Sequence, residues 1–151
     1  MNKTLLKAKI IESKLTHGLR KEILWPHITD NNYKIDIDDK DDTFHIGVYM
    51  RQTIISIGTF IKEKNSYFDV KNQYRLRAMA TDTKFQRQGA GKYLILKGIE
   101  VLKDKKIDLL WCSARLKAIP FYRDVKMKSL NEIYHIVNIG PHKTMYLYLN
   151  N

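Results

Sequence analysis

The sequence predicts an α/β (α+β) chain. Its core is a mixed, mostly antiparallel central sheet of about six to seven strands, flanked by about four helices. Three observations carry this. The β-rich runs Phe44 to Met50 and Thr53 to Lys62 are parted only by Arg51-Gln52, the pattern of a hairpin. A helix from about Gly89 to Lys105 stands between two strand-like runs. Two more runs, Leu130 to Val137 and Thr144 to Leu149, read as strands joined around Gly140-Pro141.

In chain order, Thr4 to Ile11 reads as a first strand or the start of a helix. Leu19 to Trp25 reads as a short amphipathic helix stopped by Pro26. The acidic run Asp36 to Asp42 lacks the glycine and the terminal glutamate of a calcium loop, so a solvated loop is expected there. After the hairpin, Gln73 to Ala80 is a strand in which Leu76, Ala78 and Ala80 share one face. On the 89–105 helix, Gly91, Leu94, Ile95, Gly98, Ile99, Val101 and Leu102 form one stripe at 100° per residue. Its two glycines predict a close approach to the sheet. Asp108 to Ser113 reads as a buried strand and Ala118 to Asp124 as a short helix.

A length of 151 residues, 44% apolar, with no repeat or linker composition, predicts a single domain over 1–151. One cysteine, Cys112, cannot form an internal disulfide, and residues 1–7 lack a signal-peptide pattern, so a cytoplasmic location is expected. No run approaches the roughly 18 apolar residues of a spanning helix, and no membrane partner is expected. The net charge of +11, from 27 Lys plus Arg against 16 Asp plus Glu, favours anionic partners.

The segment 81–92 says where such an anion would sit. A strand ends, a loop carries Gly89 and Gly91, and an amphipathic helix begins. Helix N-termini leave about four N–H groups unpaired, and glycines let those groups approach a phosphate. Arg87 and Lys92 bracket this positive end, where cations are unfavourable unless an anion lies among them. Tyr93 after Gly91-Lys92 excludes a P-loop. Leu94, standing where a third glycine would be, excludes the dinucleotide fingerprint.

Gln86-Arg87-Gln88-Gly89-Ala90-Gly91 resembles the Gln/Arg-x-x-Gly-x-Gly/Ala signature of the GNAT superfamily of N-acetyltransferases. The preceding strand, Leu76 to Asp82, and the later Ala118-Ile119-Pro120-Phe121-Tyr122, about thirty residues after the loop, resemble the same family in order and spacing. Arg115, where the family often has asparagine, and Lys126-Met127, in place of Gly-Phe, depart from it.

The resemblance implies a GNAT-like fold and direct transfer of an acetyl group from acetyl-CoA to an amine. It implies that Gln86, Arg87, Gln88, Gly89, Ala90, Gly91 and Lys92 hold the pyrophosphate, and that Met79, Ala80, Thr81, Phe121 and Tyr122 place the pantetheine and thioester. Tyr122 would be the general acid, a suitable role for a phenol with a pKa of about 10. His45, in the first hairpin, and His142, in the turn joining the last two strands, are the candidate bases. Asp82 braces the loop, Cys112 in its apolar run reads as inert core, and no His/Cys/Asp/Glu set has metal-ligand spacing. The acceptor pocket would be built by about 15–42, whose acidic run suits a cationic amine. A homodimer is an open state. Two other readings stay open: a basic nucleic-acid-binding protein, although no binding motif is present, and a silent CoA-binding sensor.

Overall fold

A computed structural model describes residues 5–150; Thr4, in the expected first strand, lies outside them. Strands β1 (Leu6–Ile11), β2 (Phe44–Met50), β3 (Thr53–Lys62) and β4 (Gln73–Thr81) form an antiparallel meander. Helix α1, over 13–24, lies between β1 and β2. Helix α2 (Ala90–Asp104) crosses from β4 to β5 (Leu109–Arg115), and α3 (Ile119–Asp124) follows. The short β6 (Lys128–Ser129) and β7 (Tyr134–Ile136) both pair with β8 (Gly140–Tyr148). These eight strands make one sheet of order β1-β2-β3-β4-β5-β8-β6, with β7 beside β8. Among the described residues only β4 and β5 run parallel. Among the described residues three helices flank the sheet, one fewer than expected.

The hairpin has the predicted limits, with Met50 paired to Thr53. The predicted stripe on α2 packs against the sheet, with Leu94, Ile95, Gly98 and Leu102 buried. A Cβ on Gly98 would overlap the Phe60 ring, so the helix sits where only glycine fits. Gly58 on β3 is crowded to a lesser degree, since its Cβ would lie 2.8 Å from the end of the Leu94 side chain.

Four expectations are corrected. First, Leu76, Ala78 and Ala80 do not share a face. The pairing slips between Ile57 and Thr59, and Ala78 takes φ 51°. This bulge adds one residue to β4 and inverts the alternation after it. Leu76 therefore packs toward α2, whereas Ala80 packs toward Leu19 on the other face. Second, α1 begins at Ser13 and is wound irregularly, as a 3-10 turn, an α turn and then a π turn over Arg20–Leu24. Trp25 N–H closes the π turn on the Arg20 carbonyl, and Pro26, with no N–H, ends the helix.

Third, the acidic run is not simply solvated. Asp38 is buried and receives both Arg20 Nη atoms, at 2.7 and 2.9 Å, and the Ile35 N–H. Arg20 also donates to the Tyr33 carbonyl and to Thr59 Oγ1. Thr59 in turn donates to His45 Nδ1, and His45 Nε2–H donates to the Asp38 carbonyl. Fourth, the last turn is Val137-Asn138-Ile139, so His142 lies within β8, paired with Arg115, and not in the turn.

Two predictions follow from this packing. Gly98→Ala gains about 1 kcal/mol of helix propensity but forces Phe60 aside at about 1–3 kcal/mol. A net loss in urea midpoint is expected, with partial recovery when Phe60→Leu is added. Burial, opposed by the hydrogen bond to the Asp38 carbonyl, holds the His45 pKa below its ordinary 6.5. The unfolded chain then binds the extra proton first, so stability falls as pH drops through about 6.5. Melting temperatures between pH 7.5 and 5.5 should fall less steeply for His45→Gln than for wild type.

Candidate active site

β5 pairs with β4 only over Leu109–Trp111 against Gln73–Arg75. Beyond Arg75, β4 runs on to Thr81 without a strand on that edge. The parting opens a cavity of about 1250 Å³ that reaches both faces of the sheet. On the α2/α3 face it is lined by the glycine loop, the first residues of α2, and Phe121 and Tyr122. On the α1 face it is lined by Arg75, Arg77, Ser113, Arg115 and His142, with Leu24 and Trp25 above them.

The loop geometry follows from its residues. Asp82 accepts the Lys84 N–H at 3.0 Å, which shapes a single 3-10 turn, and Gln86 Nε2 donates to the Thr81 carbonyl. Arg87 and Gly89 take φ 64° and 92°. α2 then starts with neither a side-chain cap nor an acid in its first turn. Its leading N–H groups thus face the cavity without the usual partner, as an anion site requires. A Cβ on Gly91 would lie 3.0 Å from Phe121 Cζ, so glycine also permits α3 to close on the loop.

Tyr122 is buried beside the last paired residues. Its hydroxyl lies beside the sulfur of Cys112, the first β5 residue past the end of the β4 pairing. Burial first, and Cys112 second, push the phenol pKa well above its ordinary 10, so the hydroxyl keeps its proton. Burial likewise pushes the Cys112 thiol up to about 12, which leaves it inert as a nucleophile near neutral pH.

His142 Nδ1 lies 2.8 Å from the Gly140 carbonyl. A carbonyl only accepts, so Nδ1 carries the proton of the neutral ring and Nε2 keeps its lone pair. Tyr134 stacks on this ring at 6.0 Å and donates its hydroxyl to Ser113.

The residues expected at a CoA site come together here: Met79, Ala80, Thr81, Gln86, Arg87, Gly89, Ala90, Gly91, Lys92, Phe121 and Tyr122 all line the cavity. Gln88 does not, and neither does His45, whose two nitrogens are occupied by Thr59 and Asp38. Asp38 and Asp39 also lie off the cavity, engaged by Arg20 and Lys34. Sequence reading missed Arg77, Ser113 and Tyr134. The available signal was Arg75 and Arg77 on alternate positions of an otherwise apolar strand, which put two cations on one face.

The sheet thus splits beside a glycine-led helix start, with Tyr122 at the apex of the split. The sequence model of the acetyltransferase (GNAT) family matches residues 12–126, and the chain belongs to that family. It is 33% identical over 142 residues to the uncharacterized N-acetyltransferase YitI of Bacillus subtilis (strain 168), covering 94% of this chain and 95% of that protein. Its fold is similar to an aminoglycoside 6'-N-acetyltransferase complexed with coenzyme A, with a TM-score of 0.78 at 7% identity, covering 96% and 98% of the two chains. It is similar also to the ribosomal-protein-S18-alanine N-acetyltransferase of Escherichia coli, with a TM-score of 0.73 at 17% identity, covering 97% and 95%. The protein is an acetyltransferase.

With its thiol buried and its pKa raised to about 12, Cys112 should resist iodoacetamide at pH 8 in the native state and react only after unfolding. Intact-mass measurement with and without denaturant checks this.

Proposed function

We propose that the protein transfers the acetyl group of acetyl-CoA directly to an amine, with Tyr122 as general acid and His142 as general base. The observation that carries this reading is the opening of an uncapped, glycine-led helix N-terminus into the same cavity as the β4/β5 split. Bound acetyl-CoA supplies an activated thioester carbonyl. The N–H groups at the start of α2, with Arg87 and Lys92, suit its pyrophosphate. The open edge of β4 at Met79 to Thr81 offers backbone groups to its amide-bearing arm.

At the reacting atoms a C–N bond forms and the C–S bond breaks. Tyr122, protonated at neutral pH, gives its proton to the departing sulfur as thiolate charge develops. His142 Nε2 takes the proton that the acceptor ammonium must lose, its orientation held by Gly140 and Tyr134. A direct path through a split sheet needs no enzyme nucleophile, which agrees with the inert Cys112.

Acetyl-CoA at 100 times its Kd should stabilise the fold by about 2.7 kcal/mol in a thermal melt. ATP should do much less, and Gly89→Asp, which strains a φ of 92° and puts a carboxylate at the anion site, should lose the effect. Tyr122→Phe should keep the melt shift but lower kcat by about 100-fold or more. His142→Asn should lower kcat/KM for amines, with recovery as rising pH delivers the amine already deprotonated. No melt shift with any CoA species would overturn the reading. A shift with full activity in Tyr122→Phe would remove only the assigned acid. CoA binding without transfer to any amine would leave a sensor.

A further inference from the structure

The α1 face of the cavity carries a charge that the acetyl-donor half does not account for. Arg20, Arg75 and Arg77 lie near one another on this face. Arg20 is matched by Asp38, and Arg75 by Glu63 at 3.0 Å, with the Trp111 ring beneath it at 4.8 Å. Arg77 is half-buried, lines the cavity, and has no hydrogen bond or ion pair among the described residues. Burial, and then the charge of Arg75, press its pKa below the ordinary 12.5, so its surroundings disfavour the cation. Arg115 lines the same face from β5, across the gap from β4. The one carboxylate among the residues lining the cavity is Asp124, on α3 at the opposite face.

Half-buried guanidinium groups are ordinarily completed by an anion, and a carboxylate is their best-matched partner. The CoA phosphates do not fill this role, because the glycine loop, Arg87 and Lys92 stand with α2 on the other side of the sheet. We propose that the acceptor is an amine that carries its own carboxylate, held by Arg77 with Arg115 across the cleft. This rests on the acyl-transfer reading above. It also replaces the cationic amine that the acidic run suggested, since Asp38 and Asp39 of that run are ion-paired away from the cavity and a polycation would meet Arg77 and Arg115.

The test starts from CoA-saturated protein, so that it does not depend on turnover. The probes are the N-acetyl derivatives of the common L-amino acids, which are product analogues, and the matched N-acetyl amino acid amides. At least one free carboxylate should raise the melting temperature where its amide does not. Arg77→Gln should abolish that difference while the Kd for CoA stays unchanged, and Arg77→Lys should retain part of it. In turnover, the free amino acid should exceed its amide in kcat/KM by about tenfold or more, a ratio that falls toward one in Arg77→Gln. The proposal is overturned if no carboxylate probe binds, if amides or spermidine serve equally well, or if Arg77→Gln keeps the preference. Failure of the transfer reading itself looks different: CoA would not bind, or would bind with no transfer to any amine, with or without a carboxylate.

Discussion

The short parallel contact between β4 and β5 is the constraint on which the rest of the structure depends. A parallel pair cannot be closed by a hairpin and needs a crossover, here the whole of α2. The crossover must begin where β4 ends, which puts the N-terminus of α2 beside the far end of the strand. Because β5 leaves β4 after Trp111, that end is also where the sheet stands open. The start of α2 and the gap are therefore adjacent by topology, and Gly91 and Gly98 set how near the helix and α3 can come.

Splitting a sheet gives each half of the cavity its own electrostatics. The α2/α3 face presents backbone N–H groups and the paired aromatic rings of Phe121 and Tyr122, 5.1 Å apart, with the phenol held protonated. The α1 face presents side chains of β4, β5 and β8, most of them basic. β8 contributes by pairing along the whole of β5, which brings His142 opposite Arg115 and under Tyr134. The bulge at Ala78 matters for the same reason: one added residue decides which β4 side chains face α1 and which face α2.

The region between β1 and β2 is fastened by one side chain. Arg20 reaches the Tyr33 carbonyl, the Asp38 carboxylate and Thr59 on β3, and so binds α1, the 25–43 loop and the sheet together. Burial alone would raise the Asp38 pKa, but the hydrogen bonds from Arg20 and the Ile35 N–H, with the charge of Arg20, hold it low. Removing one partner of such a pair leaves a buried charge uncompensated, typically at a cost of about 3–5 kcal/mol. The network also explains why His45, a candidate base from the sequence, is occupied: both its ring nitrogens belong to this fastening.

Much of the fold and of the glycine-loop face of the cavity was legible in the sequence, because local rules govern them. Alternation marked the hairpin, the 3.6-residue period marked α2, and two glycines with flanking cations marked the helix start that opens into the cavity. What only the tertiary structure decided depends on residues far apart in the chain. Asp38 reads as one of a solvated acidic run until Arg20 meets it, and Leu76 and Ala80 read as one face until the Ala78 bulge turns the strand. His142 reads as a turn residue until β8 pairs through Gly140. Arg77 becomes a candidate acceptor contact only because β5 turns away and, among the described residues, no carboxylate lines that side of the opening. Period and spacing report the geometry of a segment with itself, whereas a pairing register, a buried ion pair or an unmatched charge is a property of two segments meeting.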